Sequence, residues 1–129
     1  MAKKQEESLQ IAVSKFIKLQ YPKVVFSAES SGIRLPNGLA VKAKAQRSTH
    51  TLPDMWILEP KGLYHGLIIE LKKSREDLYL KDNVTFNGSK HVQDQLKTLN
   101  LLGLKGYRAI FCCGLDEAID AINIYMKLR

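Results

Sequence analysis

Two stretches of the sequence decide the fold: PDMWIL at Pro53–Leu58 and LIIELK at Leu67–Lys72. The apolar residues in each stretch form a run of strand length, and the loop at Glu59–Gly66 between them predicts a hairpin. The second stretch is apolar on both faces before Glu70, which is typical of a central strand that is buried on both sides.

Antiparallel pairing brings the start of the first strand beside the end of the second strand, and charged residues lie at both places. Asp54 starts the first strand, and Glu70 lies near the end of the second. Lys72 shares a strand face with Glu70 because side chains alternate along a strand. A charged pair on a strand is most often the solvated face of a sheet, but a carboxylate in a buried strand needs a partner, and a cation is the simplest one. Two carboxylates can hold Mg²⁺ through oxygen ligands, so the motif favours metal-dependent hydrolysis of a phosphodiester.

The rest of the chain predicts alternating helices and strands around this hairpin. An apolar face from Leu9 to Ile17 predicts a first helix that ends before Pro22. The further elements predicted are a strand at Val24–Phe26, a short helix at Ala40–Gln46, a helix at His91–Leu104 with Leu96, Leu99 and Leu102 inward, a buried strand at Tyr107–Cys113 and a closing helix at Leu115–Leu128. The order αβ(α)ββαβα predicts a single α/β domain over residues 1–129.

Composition narrows the class of protein. A chain of 129 residues with 45% hydrophobic residues can bury a core without disulfides. The net charge of +7 favours an anionic partner, for which nucleic acid is the natural candidate. Cys112 and Cys113 are adjacent, so we expect buried, reduced thiols in a cytoplasmic protein. No signal peptide or membrane span is apparent, so no membrane partner is expected.

Several segments, taken in order, resemble the VRR-NUC family of the PD-(D/E)xK nuclease superfamily, especially its small stand-alone phage forms. The resemblance rests on Leu9–Pro22 (the first helix and its exit), Ser31–Arg34 (a turn), Pro53-Asp54, Tyr64–Lys72, His91–Gln95 and Gly106–Ala109. Each piece is unspecific, but their order and spacing are specific. The resemblance implies a restriction-endonuclease-like fold, in which helices flank a central mixed β-sheet.

The same resemblance implies roles for individual residues. Asp54 and Glu70 would bind Mg²⁺, or Mn²⁺ in its place, with the Leu71 carbonyl as a third oxygen. Lys72 would orient or deprotonate the attacking water or stabilise the phosphate charge. Gln95 would hold a water molecule or the lysine. A glutamate of the first helix would complete the site, and Glu6 is favoured over Glu7 because it lies nearer the apolar face.

Basic residues provide the expected contacts with nucleic acid. The segment from Arg34 to Arg47 contains four basic residues and no acid: Arg34, Lys42, Lys44 and Arg47. A charge run is often only a solvated face, but the absence of acids favours contact with phosphates. His91 is four residues before Gln95 and is a further candidate for contact with phosphate or with metal-bound water, although a lone histidine is more often structural.

This sequence departs from the family pattern at three positions, and it is compatible with more than one function. Arg47 and Thr51 occupy positions where the family usually has glycine, and Ser31 replaces its turn asparagine. We expect a Mg²⁺-dependent endonuclease that cuts branched DNA, such as a Holliday junction or a flap, as a homodimer in a host cytoplasm. The alternatives are a non-catalytic nucleic-acid-binding phage accessory protein with the same fold and a sequence-specific restriction enzyme, for which the chain is short.

Overall fold

The computed structural model describes residues 2–29, 36–46 and 48–129, and for residues 2–6 it describes the backbone alone. The elements are α1 (Ala2–Gln20), β1 (Phe26–Ala28), α2 (Asn37–Ala45), β2 (Met55–Ile57), β3 (Leu67–Lys72), α3 (Lys90–Leu104), β4 (Arg108–Cys113) and α4 (Leu115–Met126), with a 3-10 turn at Arg75–Asp77. This order confirms the α/β fold class that the sequence predicts.

The four strands form one mixed sheet in the order β1-β2-β3-β4. β1, β2 and β3 pair antiparallel, and β4 runs parallel to β3 because α3 makes the crossover between them. All six residues of β3 are buried. The apolar pattern of Leu67–Leu71 therefore correctly identifies a central strand, and the charged residues of that strand are carried into the interior.

Helices cover both faces of the sheet, and this arrangement decides where polar side chains are enclosed. Val13 and Ile17 of α1 and Ile122 and Tyr125 of α4 form one core with the odd-numbered residues of β3. The even-numbered residues Ile68, Glu70 and Lys72 point to the opposite face. A cavity on that opposite face is lined by both Ile68 and residues of α3, so α3 lies over the Glu70 face.

Two glycines let the hairpin loop approach the start of β4 closely. A Cβ on Gly66 would lie 2.8 Å from the Ile57 carbonyl oxygen, so this position needs glycine. Gly106 has a φ of +101°, and a Cβ there would lie 2.5 Å from the ring of His65. The His65 amide donates to the Gly106 carbonyl at 2.8 Å. These contacts fix the entry of β4 beside β3.

Three sequence-based predictions were wrong in detail. β1 begins at Phe26 and not at Val24, because the Val24 amide donates to the Tyr21 carbonyl in the turn after α1. The strand predicted as buried, β4, is an edge strand in which only Cys112 is fully buried. In α3, Leu96 and Leu102 are half-buried, and the buried residues are Val92, Gln95, Thr98 and Leu99.

The short helix α2 also differs from its prediction, since it starts at Asn37 and no residue in it is buried. The Ala40 amide donates to the Pro36 carbonyl, which places Pro36 at the N-cap. Both cysteines are free thiols, with Cys112 buried and Cys113 half-buried. Within the described ranges, no helix has the length and apolar character required to span a membrane.

Candidate active site

Asp54 is held in place by three other elements of the fold. It lies immediately before β2, where its carbonyl oxygen accepts hydrogen bonds from the Glu29 amide at 2.7 Å and from Gln10 Nε2 at 3.0 Å. Its carboxylate Oδ2 accepts from the Leu71 amide of β3 at 2.7 Å. Backbone and side chain are thus both fixed before any ligand arrives, which is what a preorganised site requires.

Glu70 lies beside Asp54 because of the register of the hairpin. Met55 pairs with Ile69, so the antiparallel register continued by one residue sets Asp54 opposite Glu70. Opposite residues of an antiparallel pair have Cβ atoms about 4.5–5.5 Å apart. Glu70 is only 3% exposed. The structure therefore brings together the two carboxylates that the sequence singles out.

Lys72 and the Leu71 carbonyl complete the group at the end of β3. Lys72 is 3% exposed and lies on the same strand face as Glu70. The N–H and C=O groups of one strand residue point to the same side of the strand. Because the Leu71 N–H is directed at Asp54 Oδ2, the Leu71 carbonyl also faces the Asp54 side. Asp54, Glu70, the Leu71 carbonyl and Lys72 therefore all lie at the same end of β3.

Gln95 reaches the interior from α3, on the side of the sheet that carries Glu70 and Lys72. Its side chain is 4% exposed, although it is polar. Among the buried side-chain atoms of the described residues, Gln95 Oε1 alone has no hydrogen-bond partner. Leaving a buried acceptor unpaired costs about 1–3 kcal/mol. Such a cost is typical of a site whose polar partner is a water or a ligand.

Replacing Gln95 by methionine is expected to stabilise the fold while it impairs function. Methionine has a similar length and removes the unpaired acceptor, so the free energy of unfolding should rise by about 1 kcal/mol. If Gln95 positions a water or Lys72, the rate of DNA cleavage should fall about tenfold in the same variant. Thermal unfolding and single-turnover cleavage measure the two effects.

The control for this pair of measurements is Gln93→Met, which changes an exposed glutamine of the same helix. It should leave cleavage unchanged. A Gln95→Met variant that is both less stable and less active than the wild type would mean that Gln95 has only a structural role.

The two glutamates of α1 are placed differently. Glu7 is exposed, whereas the side chain of Glu6 lies outside the described residues. Gln10, which binds the Asp54 carbonyl, is four residues after Glu6 and three after Glu7. α1 therefore passes within hydrogen-bonding distance of the site one turn after these residues.

Of the basic residues predicted to contact nucleic acid, Lys42 and Lys44 are exposed in the last turn of α2. His91 is exposed at the start of α3, whereas Gln95 on the following turn is buried. Arg34 and Arg47 lie outside the described residues, as does the predicted turn at Ser31–Arg34. The structure thus leaves Lys42, Lys44 and His91 accessible to a large ligand.

The donor set suits a hard cation, but two carboxylates are a minimal set. In the parts of the chain that the structure describes, no group of three or more His, Cys, Asp or Glu side chains lies close enough to hold a metal ion. Asp54, Glu70 and the Leu71 carbonyl supply oxygen atoms, which Mg²⁺ prefers. Mg²⁺ usually keeps several waters and needs only one or two carboxylates from the protein. The residues present therefore fit Mg²⁺ better than a metal that requires a full protein cage.

Cys113 lies next to Lys72, since these two residues pair in the register of β3 and β4. Burial, followed by the nearby charge of Glu117, raises the pKa of the Cys113 thiol to about 11. Burial raises the pKa of the Cys112 thiol to about 12. Both pKa values favour the protonated thiol at neutral pH, which is the less nucleophilic form.

Cys113 should consequently react slowly with iodoacetamide in the folded protein. At pH 8 its thiolate fraction should be about 100-fold below that of an ordinary cysteine, because only the thiolate reacts. Since the pKa is raised, the rate should increase about tenfold for each unit of pH up to the pKa. Mass spectrometry of alkylation in native buffer and in urea measures the ratio; rates within threefold of each other, roughly, would contradict the raised pKa.

Sequence reasoning missed two residues that shape this region. Gln10 was not assigned a role, yet its Nε2 binds the carbonyls of both Glu29 and Asp54. The available signal was a polar residue beside Leu9 on the inner side of an amphipathic helix. Trp56 was treated only as part of an apolar run, but its Nε1 donates to the Pro53 carbonyl at 3.1 Å and fixes the indole beside the site.

Comparison with known proteins agrees with this arrangement. The sequence matches no protein-family model, and no curated protein is significantly similar to it. A solved structure described as a VRR_NUC domain protein is similar, with 27% identity and a TM-score of 0.68 over 96% of this chain and 89% of that one. The mixed sheet and the ordered motifs of this chain are thus similar to those of a VRR_NUC domain protein.

Proposed function

We propose that this protein is a Mg²⁺-dependent endonuclease that hydrolyses phosphodiester bonds in DNA. The observation that carries the proposal is the placement of Asp54, fixed through Oδ2 to the Leu71 amide, opposite the buried Glu70. Burying charged groups at the end of a central strand costs free energy, and such groups are frequent at functional sites. The likeness to a VRR_NUC domain protein supports a nuclease of the PD-(D/E)xK type.

Each residue of the site has a distinct task in this proposal. Asp54, Glu70 and the Leu71 carbonyl would hold Mg²⁺, and Mn²⁺ should substitute. The bound ion would lower the pKa of a water molecule and neutralise charge on the scissile phosphate. Lys72 would donate a hydrogen bond to the attacking water or to a phosphate oxygen, where its positive charge is effective because the site excludes solvent. Gln95 Oε1 would accept a hydrogen bond from that water or from the Lys72 ammonium group.

DNA is the proposed substrate, and branched DNA such as a Holliday junction or a flap is the proposed form. The net charge of +7 and the exposed Lys42, Lys44 and His91 favour contact with phosphates. A symmetric homodimer would present two basic surfaces and two sites to the arms of one junction. Phosphate contacts of this kind position the protein on DNA but do not specify a sequence.

Cleavage of a panel of DNA substrates tests this proposal. Linear duplex, flap and four-way DNA of equal length would be incubated with the protein in Mg²⁺ and in EDTA. We expect cleavage only in Mg²⁺, with the branched substrates cut faster than the linear one. Binding without cleavage of any substrate would instead indicate a non-catalytic nucleic-acid-binding protein. Equal cleavage rates on all three substrates would support nuclease activity but would exclude selectivity for branched DNA.

The glutamate from α1 can be identified by a matched pair of variants. Glu6→Gln should lower the cleavage rate about tenfold if Glu6 carries a metal-bound water, by analogy with other outer ligands of metal sites. Glu7 is exposed, so Glu7→Gln should have no effect. Single-turnover rates at saturating Mg²⁺ measure both. The reverse ranking would assign the role to Glu7.

A further inference from the structure

A pocket lies directly beside the proposed site, between the sheet and α3. It has a volume of about 540 Å³, which falls within the range of small-molecule sites. Its walls include Pro53 from the segment before β2, Trp56 from β2, Ile68 from β3 and Thr98 from α3. We call this cavity the Trp56 pocket.

The Trp56 pocket adjoins the site along β3 and along the segment that leads into β2. Pro53 precedes Asp54 directly, and Ile68 lies two residues before Glu70 on the same strand face. Two residues along a strand span about 7 Å, so the pocket begins one side chain away from the carboxylates. Trp56 pairs with Ile68 and therefore shares that face. The pocket and the site are therefore neighbours on one face of the sheet, although Asp54 and Glu70 do not line the pocket.

The walls of the pocket combine flat aromatic surfaces with a few polar groups. The rings of Trp56 and Tyr107 are both half-buried, so part of each remains accessible. The Trp56 ring is held by its hydrogen bond to the Pro53 carbonyl, and the Tyr107 ring packs edge-on against His65 with centroids 5.7 Å apart. Thr98 is buried and lines the pocket, and its hydroxyl donates to the Asp94 carbonyl of the same helix at 3.4 Å.

The rim carries positive charge, which narrows the class of ligand. Lys105 is exposed where α3 ends and lines the pocket. His50 and Ser48, which are exposed in the loop before β2, also line the pocket. An apolar, aromatic interior with a cationic rim matches a flat aromatic ligand that carries phosphate groups, which is the chemistry of a nucleotide.

We propose that the Trp56 pocket receives an unpaired nucleobase from the DNA strand that is cut. The base stacks against Trp56 or Tyr107, its polar edge meets the Thr98 hydroxyl, and Lys105 contacts the flanking phosphate. This inference rests on the proposed nuclease function and specifies its substrate as DNA with an unpaired or easily unpaired base beside the scissile phosphate. A paired base cannot enter, because it must first leave its stack, and that costs least where the duplex is already interrupted.

The fluorescence of Trp56 tests this proposal, because Trp56 is the only tryptophan in the chain. The wild-type protein would be titrated in EDTA with a single strand, a fully paired duplex and the same duplex with one bulged nucleotide. Anisotropy of labelled DNA gives binding, and tryptophan emission gives occupancy of the pocket. We expect strong quenching at saturation with the single strand and the bulged duplex, and little with the paired duplex. Binding of the bulged DNA with unchanged Trp56 emission would overturn the proposal.

A matched pair of variants provides the second readout. Tyr107→Leu removes one aromatic wall and should weaken binding of the bulged duplex about tenfold relative to the paired duplex. Tyr64→Leu changes another accessible tyrosine outside the pocket and should alter neither affinity. Equal weakening for both DNAs in Tyr107→Leu would overturn the proposal. So would Trp56 emission that changes with protein concentration in the absence of DNA, since a second copy of the chain would then cover the pocket.

The outcomes separate this inference from the proposed function. If bulged DNA quenches Trp56 emission but is not cleaved in Mg²⁺, the base pocket is supported and the nuclease function is excluded. If the DNA is cleaved in Mg²⁺ but does not quench Trp56 emission, the nuclease function is supported and the base pocket is excluded.

Discussion

Replacing Asp54 by asparagine is expected to lower the rate of DNA cleavage about 1,000-fold and to leave the fold intact. The asparagine oxygen can still accept the hydrogen bond that Asp54 Oδ2 accepts from the Leu71 amide at 2.7 Å. What is lost is the negative charge beside Glu70. A metal ion contributes several kcal/mol of transition-state stabilisation, and each 1.36 kcal/mol or so corresponds to a factor of ten in rate.

The matched control is Asp120→Asn, which changes an exposed aspartate on α4. It should cleave DNA at the wild-type rate, and all three proteins should unfold at similar temperatures. Single-turnover cleavage in Mg²⁺ measures the effect. If a folded Asp54→Asn variant cuts DNA within about threefold of the wild-type rate, Asp54 is not a metal ligand needed for cleavage.

Replacing Lys72 by methionine is expected to lower cleavage about 100-fold, which is the second largest effect. Methionine preserves most of the aliphatic stem in a position that is 3% exposed, so packing is largely retained. The ammonium group acts where negative charge develops, and removing one such donor typically costs about 10²–10³ in rate. The loss should appear in the rate of the chemical step and not in DNA affinity.

Lys73→Met is the control for Lys72→Met, because Lys73 is the exposed neighbour on the same chain segment. It removes the same charge from the protein without entering the site. The two variants should therefore bind DNA with similar affinity and differ only in single-turnover rate. If both lose activity equally, Lys72 acts through net charge and not as a member of the site.

The sequence was most informative where local pattern determines structure. The apolar runs around Asp54 and Glu70 predict a hairpin, and the central position of β3 follows from its two apolar faces. The parallel placement of β4 follows from the helix between the two strands. These features need only residues that are near in sequence or a general rule of chain topology.

The features that sequence reasoning missed depend on packing between distant elements. Hydrophobicity places Leu96 and Leu102 inward, yet α3 buries Gln95 and Thr98 because its inner face lies over the polar end of β3. Gln10 acquires its role only when α1 meets the loop before β2. The Trp56 pocket likewise requires the hairpin and α3 together, so no single segment predicts it.

Mn²⁺ binding shows most directly whether Asp54 and Glu70 together hold a metal ion. Electron paramagnetic resonance of free Mn²⁺ would follow titrations of the wild-type protein, Asp54→Asn and Glu70→Gln, each shown to be folded. We expect saturable Mn²⁺ binding to the wild-type protein and strongly weakened binding to both variants. Equal Mn²⁺ binding by all three proteins would contradict this expectation.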